Sequence, residues 1–314
     1  MTAQNEEAAQ RGGSEPSLPH DSSLPDGGPL LPPSIPSQVD NPSGRALLVM
    51  AKQPIPGRAK TRLVPPLTSD SAATLYHCFL KDILATVRAA AHHEAFMPVI
   101  AYTPAAAYGF FRRLAPDFWL IPQDGLAPPA GRTLPTGSPT AISTPRPAAA
   151  RRSQSARPQQ ESPIHRPERL GDRLQFVLST VLGCGLHHVA AINSDSPTLP
   201  ADLLSSAFRR LDDPQIDAVF GPCTDGGYYF IGVKDPPGRL VTAVPMSTPT
   251  VLRDTLAIAA EEDIRVDLLP EWYDVDSAAE LERLSAELAS HPERAPATSR
   301  FLTTQWTSKS SSQP

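Results

Sequence analysis

The sequence predicts an α/β fold, a three-layer sandwich around a mostly parallel sheet, and three observations carry that expectation. Short apolar runs alternate along the chain with longer stretches whose apolar residues recur at helical spacing. Strand-then-helix repetition of this kind places helices on both faces of a parallel sheet through right-handed crossovers. The prolines, meanwhile, segregate away from these runs. Of 37 prolines in 314 residues, 8 fall in residues 1–43 and 9 in residues 126–169. Both segments are rich in Ser, Arg, Ala and Gly and nearly free of aromatic or β-branched runs, so neither buries enough apolar surface to offset the entropy of ordering. We expect residues 1–43 to be a disordered Pro/acid-rich tail and residues 126–169 a disordered Pro/Arg-rich insertion. The polar residues 291–314 read as a disordered C-terminal tail. What remains, 44–290 less the insertion, amounts to one domain of about 200 residues.

The elements follow in order. Residues 45–51, RALLVMA, are a continuous apolar run bounded by Gly44 and Lys52, as expected of a strand buried on both faces. A Pro-punctuated loop covers 52–67. Ser69 can cap a helix running to about Ala91, with Ala72, Leu75, Phe79, Ile83 and Val87 on one face. Residues 97–102 read as strand, 104–114 as helix and 118–121 as a short strand. Beyond the Pro/Arg-rich stretch, residues 170–182 are helical, ended by Gly183 and Gly185. Strand 188–193 is followed by helix 200–211 with Pro at its first turn. Strands at 216–220 and 228–233 flank a Gly226-Gly227 turn. Helix 248–260, strand 264–268 and helix 277–289 close the domain.

Several function classes fall away. No apolar run approaches the roughly 20 residues that span a bilayer, and the N-terminus lacks a basic segment followed by an apolar one, so no secretory signal is expected. Cys78, Cys184 and Cys223 are odd in number and widely spaced, which fits reduced thiols in a cytoplasmic protein and argues against a disulfide scaffold or a Cys-based zinc site. A net charge of −5 gives no case for nucleic acid. It conceals an asymmetry: six acids against one Arg in residues 1–43, seven Arg against two Glu in residues 126–169.

In open α/β sheets ligands sit beyond the carboxyl ends of the strands, so the polar residues directly after each apolar run are candidates. After the first strand, Lys52-Gln53-Pro54-Ile55-Pro56-Gly57-Arg58-Ala59-Lys60-Thr61-Arg62 combines a glycine, two prolines and four cations. Freed backbone amides with Arg and Lys heads are what a di- or triphosphate demands; the alternative is a solubilising basic loop. Neither a P-loop nor a G-x-G-x-x-G turn is present. Asp195, in Asn193-Ser194-Asp195-Ser196-Pro197, emerges from a buried strand and is placed to offer a carboxylate oxygen to a hard cation such as Mg²⁺, or else to cap the next helix. In Gly221-Pro222-Cys223-Thr224-Asp225-Gly226-Gly227, Asp225 could orient an acceptor hydroxyl or act as general base, but a hairpin turn asks for the same residues. In Tyr273-Asp274-Val275-Asp276, alternate residues share a side of an extended segment, so Asp274 and Asp276 can face one cation. Equally, Asp276 or Ser277 can cap the last helix.

Taken together, Met50-Ala51-Lys52-x-Pro54-x-Pro56-Gly57-Arg58-Ala59-Lys60-Thr61-Arg62-Leu63, Ser194-Asp195-Ser196-Pro197, Gly221-Pro222-x-x-Asp225-Gly226-Gly227-Tyr228-Tyr229, Ser247-Thr248-Pro249 and Asp274-Val275-Asp276 resemble the rSAM/selenodomain-associated glycosyltransferase-like proteins. These are bacterial relatives of the nucleotide-diphospho-sugar transferases with the GT-A fold, and more distantly of nucleotidyltransferases. The likeness runs over about 45–125 and 169–289. The family's Gln-x-x-Gly-Asp-Leu-Gly-x-Arg segment is split here, with Gln123 on one side of the Pro/Arg-rich stretch and Leu170-Gly171-Asp172-Arg173 on the other.

The resemblance implies that Lys52, Gly57, Arg58, Lys60 and Arg62 hold nucleotide phosphates. It implies that Asp195, with Asp276 and Asp274, holds Mg²⁺ or Mn²⁺; beside it, the reading of the residues themselves leads us to expect Asp225, with Asp195, to serve catalysis. The expected activity is Mg²⁺-dependent glycosyl transfer from a nucleoside-diphosphate sugar to a small-molecule acceptor. Nucleotidyl transfer from an NTP, releasing pyrophosphate, is the alternative, and a catalytically silent nucleotide-binding or scaffold module the third reading.

Overall fold

The computed structural model describes residue 39 and residues 41–125 and 169–306. The expectations of disorder for 1–43 and 126–169 therefore lie outside the described residues, apart from their inner ends. There, the Val39 amide donates to the Cys184 carbonyl at 3.0 Å and the Asn41 side chain donates to the Arg45 carbonyl at 2.8 Å.

Seven strands form one sheet: β1 (Arg45–Lys52), β2 (Met97–Thr103), β3 (Trp119–Pro122), β4 (His188–Ile192), β5 (Ala218–Pro222), β6 (Tyr228–Val233) and β7 (Val266–Leu268). Their order is β3-β2-β1-β4-β6-β5-β7. All neighbours pair in parallel except β6, which runs antiparallel to both β4 and β5. The chain builds outward from β1 through β2 to β3, then returns to lay β4 on β1's other side. That reversal opens a crevice beyond the carboxyl ends of β1 and β4.

Both faces of the sheet are covered, as the unbroken apolar run of β1 predicts. Leu47, Val49 and Ala51 belong to one core with α1 (Ser69–Glu94), α2 (Tyr108–Leu114) and α4 (Ala201–Leu211). Ala46 and Leu48 point to the opposite core, which holds Leu174, Val177, Leu178 and Val181 of α3 (Leu170–Leu182). Leu240 and Val241 of α5 (Arg239–Thr242) and Val251 and Ile258 of α6 (Val251–Glu261) complete that second layer.

Helix boundaries differ from the sequence reading in instructive ways. Thr68, not Ser69, caps α1, because it is the residue held in extended backbone; its hydroxyl accepts from the Ser71 amide at 3.1 Å. Ser277 caps α7 (Ala278–Ser290) in a capping box with Glu280. That division of labour leaves the Asp276 carboxylate outside the cap.

The expectation of a disordered tail over 291–314 is corrected for 291–306, and 307–314 lie outside the described residues. A 3₁₀ turn at Pro292–Arg294 leads into α8 (Pro296–Phe301) and a π-helical turn at Leu302–Trp306. Pro292 and Pro296 sit at helix first turns, where a missing N–H costs nothing. Phe301 and Leu302 are buried against the α1 core. The Asp82 carboxylate, on α1 and only 5% exposed, accepts the Ala297 and Thr298 amides at 2.9 and 2.8 Å.

Among the described residues, no helix is long and apolar enough to cross a membrane.

Candidate functional site

The loop after β1 is pinned from beneath by buried Pro54, Ala59, Leu63 and Leu67, while Lys52, Arg58 and Arg62 are exposed. Gly57 adopts φ +73° and Lys60 the left-handed region at φ 48°. The consequence of that turn is that Lys60 points the other way from its neighbouring cations. Its side chain is 4% exposed, and its ammonium lies 2.5 Å from Asp195 Oδ1 and 2.8 Å from Asp276 Oδ1. The same nitrogen donates to the Val275 carbonyl at 2.8 Å, so its three N–H groups all reach protein oxygens. Burial alone would lower this lysine, but the two carboxylates outweigh it and hold the ammonium above its ordinary value. Burial likewise opposes ionisation of Asp276, yet Lys60, helped by Arg62 and Lys52, keeps its carboxyl below the usual range.

The floor between these groups is a hydrogen-bonded relay. The Ser194 hydroxyl donates to the Met50 carbonyl at 2.8 Å and lies 2.7 Å from Tyr76 Oη, which in turn accepts the Lys52 amide at 3.1 Å. Because the Ser194 proton goes to Met50, the Tyr76 hydroxyl, which accepts from Lys52, donates its own proton to Ser194. Burial, followed by the Asp195 charge, pushes this phenol up to about 12. Sequence reasoning missed it, because a tyrosine on the apolar face of a helix is indistinguishable from core. At the next strand ends, the Gln123 amide donates to the Ala51 and Ala101 carbonyls, tying β3 to β1 and β2.

A second group of acids lies across the crevice. β5 and β6 are joined by a tight hairpin in which the Gly226 amide donates to the Cys223 carbonyl at 3.0 Å, and the Asp225 carboxylate accepts the Gly227 amide at 2.8 Å. Gly226 has φ +88°, and a Cβ there would meet the Pro249 carbonyl at 2.0 Å, so only glycine fits. The hairpin and the site thus use the same residues, and the two readings of Asp-Gly-Gly coincide. Alongside runs the extended segment 270–276, stitched to β5's exit by Trp272 N–H to Pro222 O and to the Asp195 loop by Val275 N–H to Asp195 O. Asp274 faces the hairpin, where Cys223 Sγ, an Asp225 oxygen and an Asp274 oxygen lie within 4.8 Å of one another. Burial, then the charges of Asp225, Asp276 and Asp195, push Asp274 up to about 7.

Two cavities meet here. One, of about 530 Å³, is lined by Lys52, Arg58, Lys60, Arg62, Gln123 and Arg173; the other, of about 390 Å³, by Cys223, Asp225, Tyr228, Met246, Val251 and Asp274. Asp195 and Asp276 line both, as do Met50 and Leu170. Gly171 lets α3 approach: a Cβ there would stand 1.9 Å from the Val241 carbonyl.

The charged residues singled out from sequence therefore line one crevice, while Gly57 lines neither cavity, and the grouping is not the one expected of them. Asp195 and Asp276 are bridged by Lys60, and a divalent cation fits between them only if Lys60 leaves, breaking three hydrogen bonds. Asp274 sits instead with Asp225 and with Cys223, a residue the cysteine spacing had set aside. Among the described residues, the group of metal-ligating side chains close enough to share one ion is this one.

Comparison with known proteins agrees with the architecture. A bacterial family model described as an uncharacterized protein conserved in bacteria (DUF2064) matches residues 133–248, a span that includes Asp195 and Asp225. A proposed nucleotide-diphospho-sugar transferase from Desulfovibrio desulfuricans G20 superposes with a TM-score of 0.64 at 24% identity, covering 84% of this chain and 96% of that one. The chain has the nucleotide-diphospho-sugar transferase fold. More distant likenesses include glucosyl-3-phosphoglycerate synthase from Mycobacterium tuberculosis in complex with Mn²⁺, UDP and glucosyl-3-phosphoglycerate, with 12% identity, 81% of each chain covered and a TM-score of 0.40. Another is CMP:2-keto-3-deoxy-manno-octonic acid synthetase complexed with CTP, with 12% identity, 79% and 99% covered and a TM-score of 0.39. No curated protein sequence matches.

Proposed function

We propose that the protein is a transferase that takes a nucleoside-diphosphate sugar as donor and passes the sugar to a small-molecule acceptor. The observation that carries this reading is the pairing of a cation-lined cavity with a carboxylate-lined one at the strand reversal of the sheet. Lys52 and Arg58 have no carboxylate partner among the described residues, and Arg62 only a distant one, Asp276 at 3.8 Å. Their charge is available to a ligand. Two or three cations converging on a diphosphate neutralise the charge that builds on it as the sugar departs, an electrostatic contribution that is commonly the largest in such reactions. Lys60 acts at one remove: it pairs with Asp195 and Asp276 at the junction of the two cavities and keeps the Asp276 carboxyl below its usual range. Asp225, exposed at the hairpin, is placed to orient or deprotonate an acceptor hydroxyl. No step here is routed through a metal on Asp195 and Asp276, since Lys60 occupies that pair.

Isothermal titration of the full chain with UDP, GDP, CDP and ADP, with and without Mg²⁺ or Mn²⁺, tests the reading. Binding of at least one is expected; a folded sample that binds none overturns it. Arg58→Ala and Arg62→Ala each remove charge-assisted hydrogen bonds of about 1.5–3 kcal/mol, so the bound nucleotide should weaken about 10- to 100-fold. Product analysis then separates the chemistry: release of a nucleoside diphosphate supports glycosyl transfer, whereas release of pyrophosphate from an NTP assigns nucleotidyl transfer to the same cavity.

A further inference from the structure

We propose that Cys223, Asp225 and Asp274 form a cation site for a thiophilic divalent metal such as Zn²⁺, separate from the Lys60-bridged pair Asp195 and Asp276. Three features carry it. The three donor atoms lie within 4.8 Å of one another. A tetrahedral zinc with one sulfur and two carboxylate oxygens sets neighbouring donors about 3.5 Å apart, so each pair of donors needs to close by no more than about 1.3 Å. Second, Cys223 is 4% exposed, and its thiol makes no hydrogen bond among the described residues. A nearly buried thiol beside an acidic cluster, without a hydrogen-bond partner among the described residues, is the donor such a cation lacks elsewhere in the crevice. Third, the scaffold is already rigid. Cys223 is fixed by the hairpin and by a bridge to Trp272, Asp225 by its bond to the Gly227 amide, and Asp274 by the stitched segment around it. Donors preorganised on hydrogen-bonded backbone are what a specific site requires.

The donor set decides the class of metal. Mg²⁺ demands near-octahedral oxygen coordination and keeps its waters, whereas a thiolate selects Zn²⁺ and similar ions. This departs from the expectation of Mg²⁺ or Mn²⁺ held by Asp195, Asp274 and Asp276. Binding exchanges the thiol hydrogen, and any carboxyl hydrogen present, for the cation; the protons leave to solvent and no redox change occurs. Three protein ligands leave a tetrahedral ion one open position, and the 390 Å³ cavity borders all three donors. An oxygen of the acceptor or of the transferred group would take that place.

The site is tested with metal alone, so its failure is distinguishable from failure of the nucleotide reading. Metal-stripped full-length protein is titrated with Co²⁺, whose bond to a thiolate adds a charge-transfer absorption in the near ultraviolet. One equivalent is expected to produce that band, Zn²⁺ to displace it and excess Mg²⁺ to leave it. Cys223→Ser should abolish the band and weaken Zn²⁺ by more than about 100-fold, since even an outer-shell partner is worth about 10- to 100-fold. Cys78→Ser, Cys184→Ser and Asp195→Asn should keep it. Absence of the band from folded wild-type protein overturns the proposal, as does its persistence in Cys223→Ser or its loss in Asp195→Asn.

Discussion

Lys60 shows how one side chain can be both a stabiliser and an organiser. Its ammonium, nearly excluded from water, is bound by two carboxylates that are themselves about a third exposed, at 34% and 40%. Removing one partner of a buried pair costs about 3–5 kcal/mol because the other is left uncompensated. Here water reaches both carboxylates, so Lys60→Met should cost less, about 2 kcal/mol by urea denaturation. The vacated pair would then be free to take a divalent ion. We therefore expect added Mg²⁺ to restore part of the lost stability in Lys60→Met and to leave wild-type protein unchanged. Stabilisation of both by the same amount would mean that Lys60 does not compete with metal. None of this was legible in the sequence, where Lys60 is one of four cations in a loop. Its destiny is set by a left-handed backbone turn and by a partner 216 positions away. The acids were legible, because a carboxylate at the end of a buried strand has few structural reasons to be there.

At the level of elements, strands and long helices could be read off because period and punctuation encode them locally. Strand direction could not: nothing in the run Tyr228–Val233 says that β6 is antiparallel, a fact decided by the five-residue hairpin that precedes it. The C-terminal segment was missed because its two prolines and polar residues read as breakers, while its anchor, Asp82, lies on α1. That anchor makes a clear prediction. Asp82 supplies a carboxylate to the first-turn amides of α8, satisfying two donors and complementing the helix dipole. Asp82→Ala should cost about 1–3 kcal/mol in urea denaturation through unsatisfied buried amides, and Asp82→Asn, which keeps an acceptor, less. Equal costs for the two would assign the effect to charge alone. At the sheet's edge, the three-residue β7 is clipped by Arg265, whose guanidinium and amide both donate to the Asp217 carboxylate. Those hydrogen bonds draw Asp217 down to about 2. A depressed carboxyl contributes stability above its unfolded value near 4 that is lost as pH falls toward 2. The pair is solvent-screened, so Asp217→Asn should cost no more than about 1 kcal/mol at pH 7, and well under half of its pH 7 cost at pH 2. A mutant deficit that persists undiminished at pH 2 would mean the clip works by shape rather than charge.

For the whole molecule, the question is how residues so far apart in the chain make one cavity. Gln123 closes β3, Leu170 opens α3, and both line the cation-rich cavity with Arg173. The described residues that flank the Pro/Arg-rich stretch therefore stand at the proposed nucleotide site. Seven Arg against two Glu give residues 126–169 a charge of +5. A tethered positive segment there raises the local concentration of anions and speeds their capture, an effect that falls with ionic strength. Composition gives the same stretch little apolar surface to contribute to either core. These two arguments separate in one experiment, replacing residues 127–168 with a short Gly/Ser linker. The melting temperature should stay within a few degrees of wild type, since a stretch of this composition has little apolar surface to bury. The nucleotide association rate, measured by stopped flow at low salt, should fall, and its dependence on salt should flatten. A deletion that aggregates or unfolds would show that the stretch packs against the domain. An unchanged rate and salt slope would show that its charge plays no part in gathering the ligand.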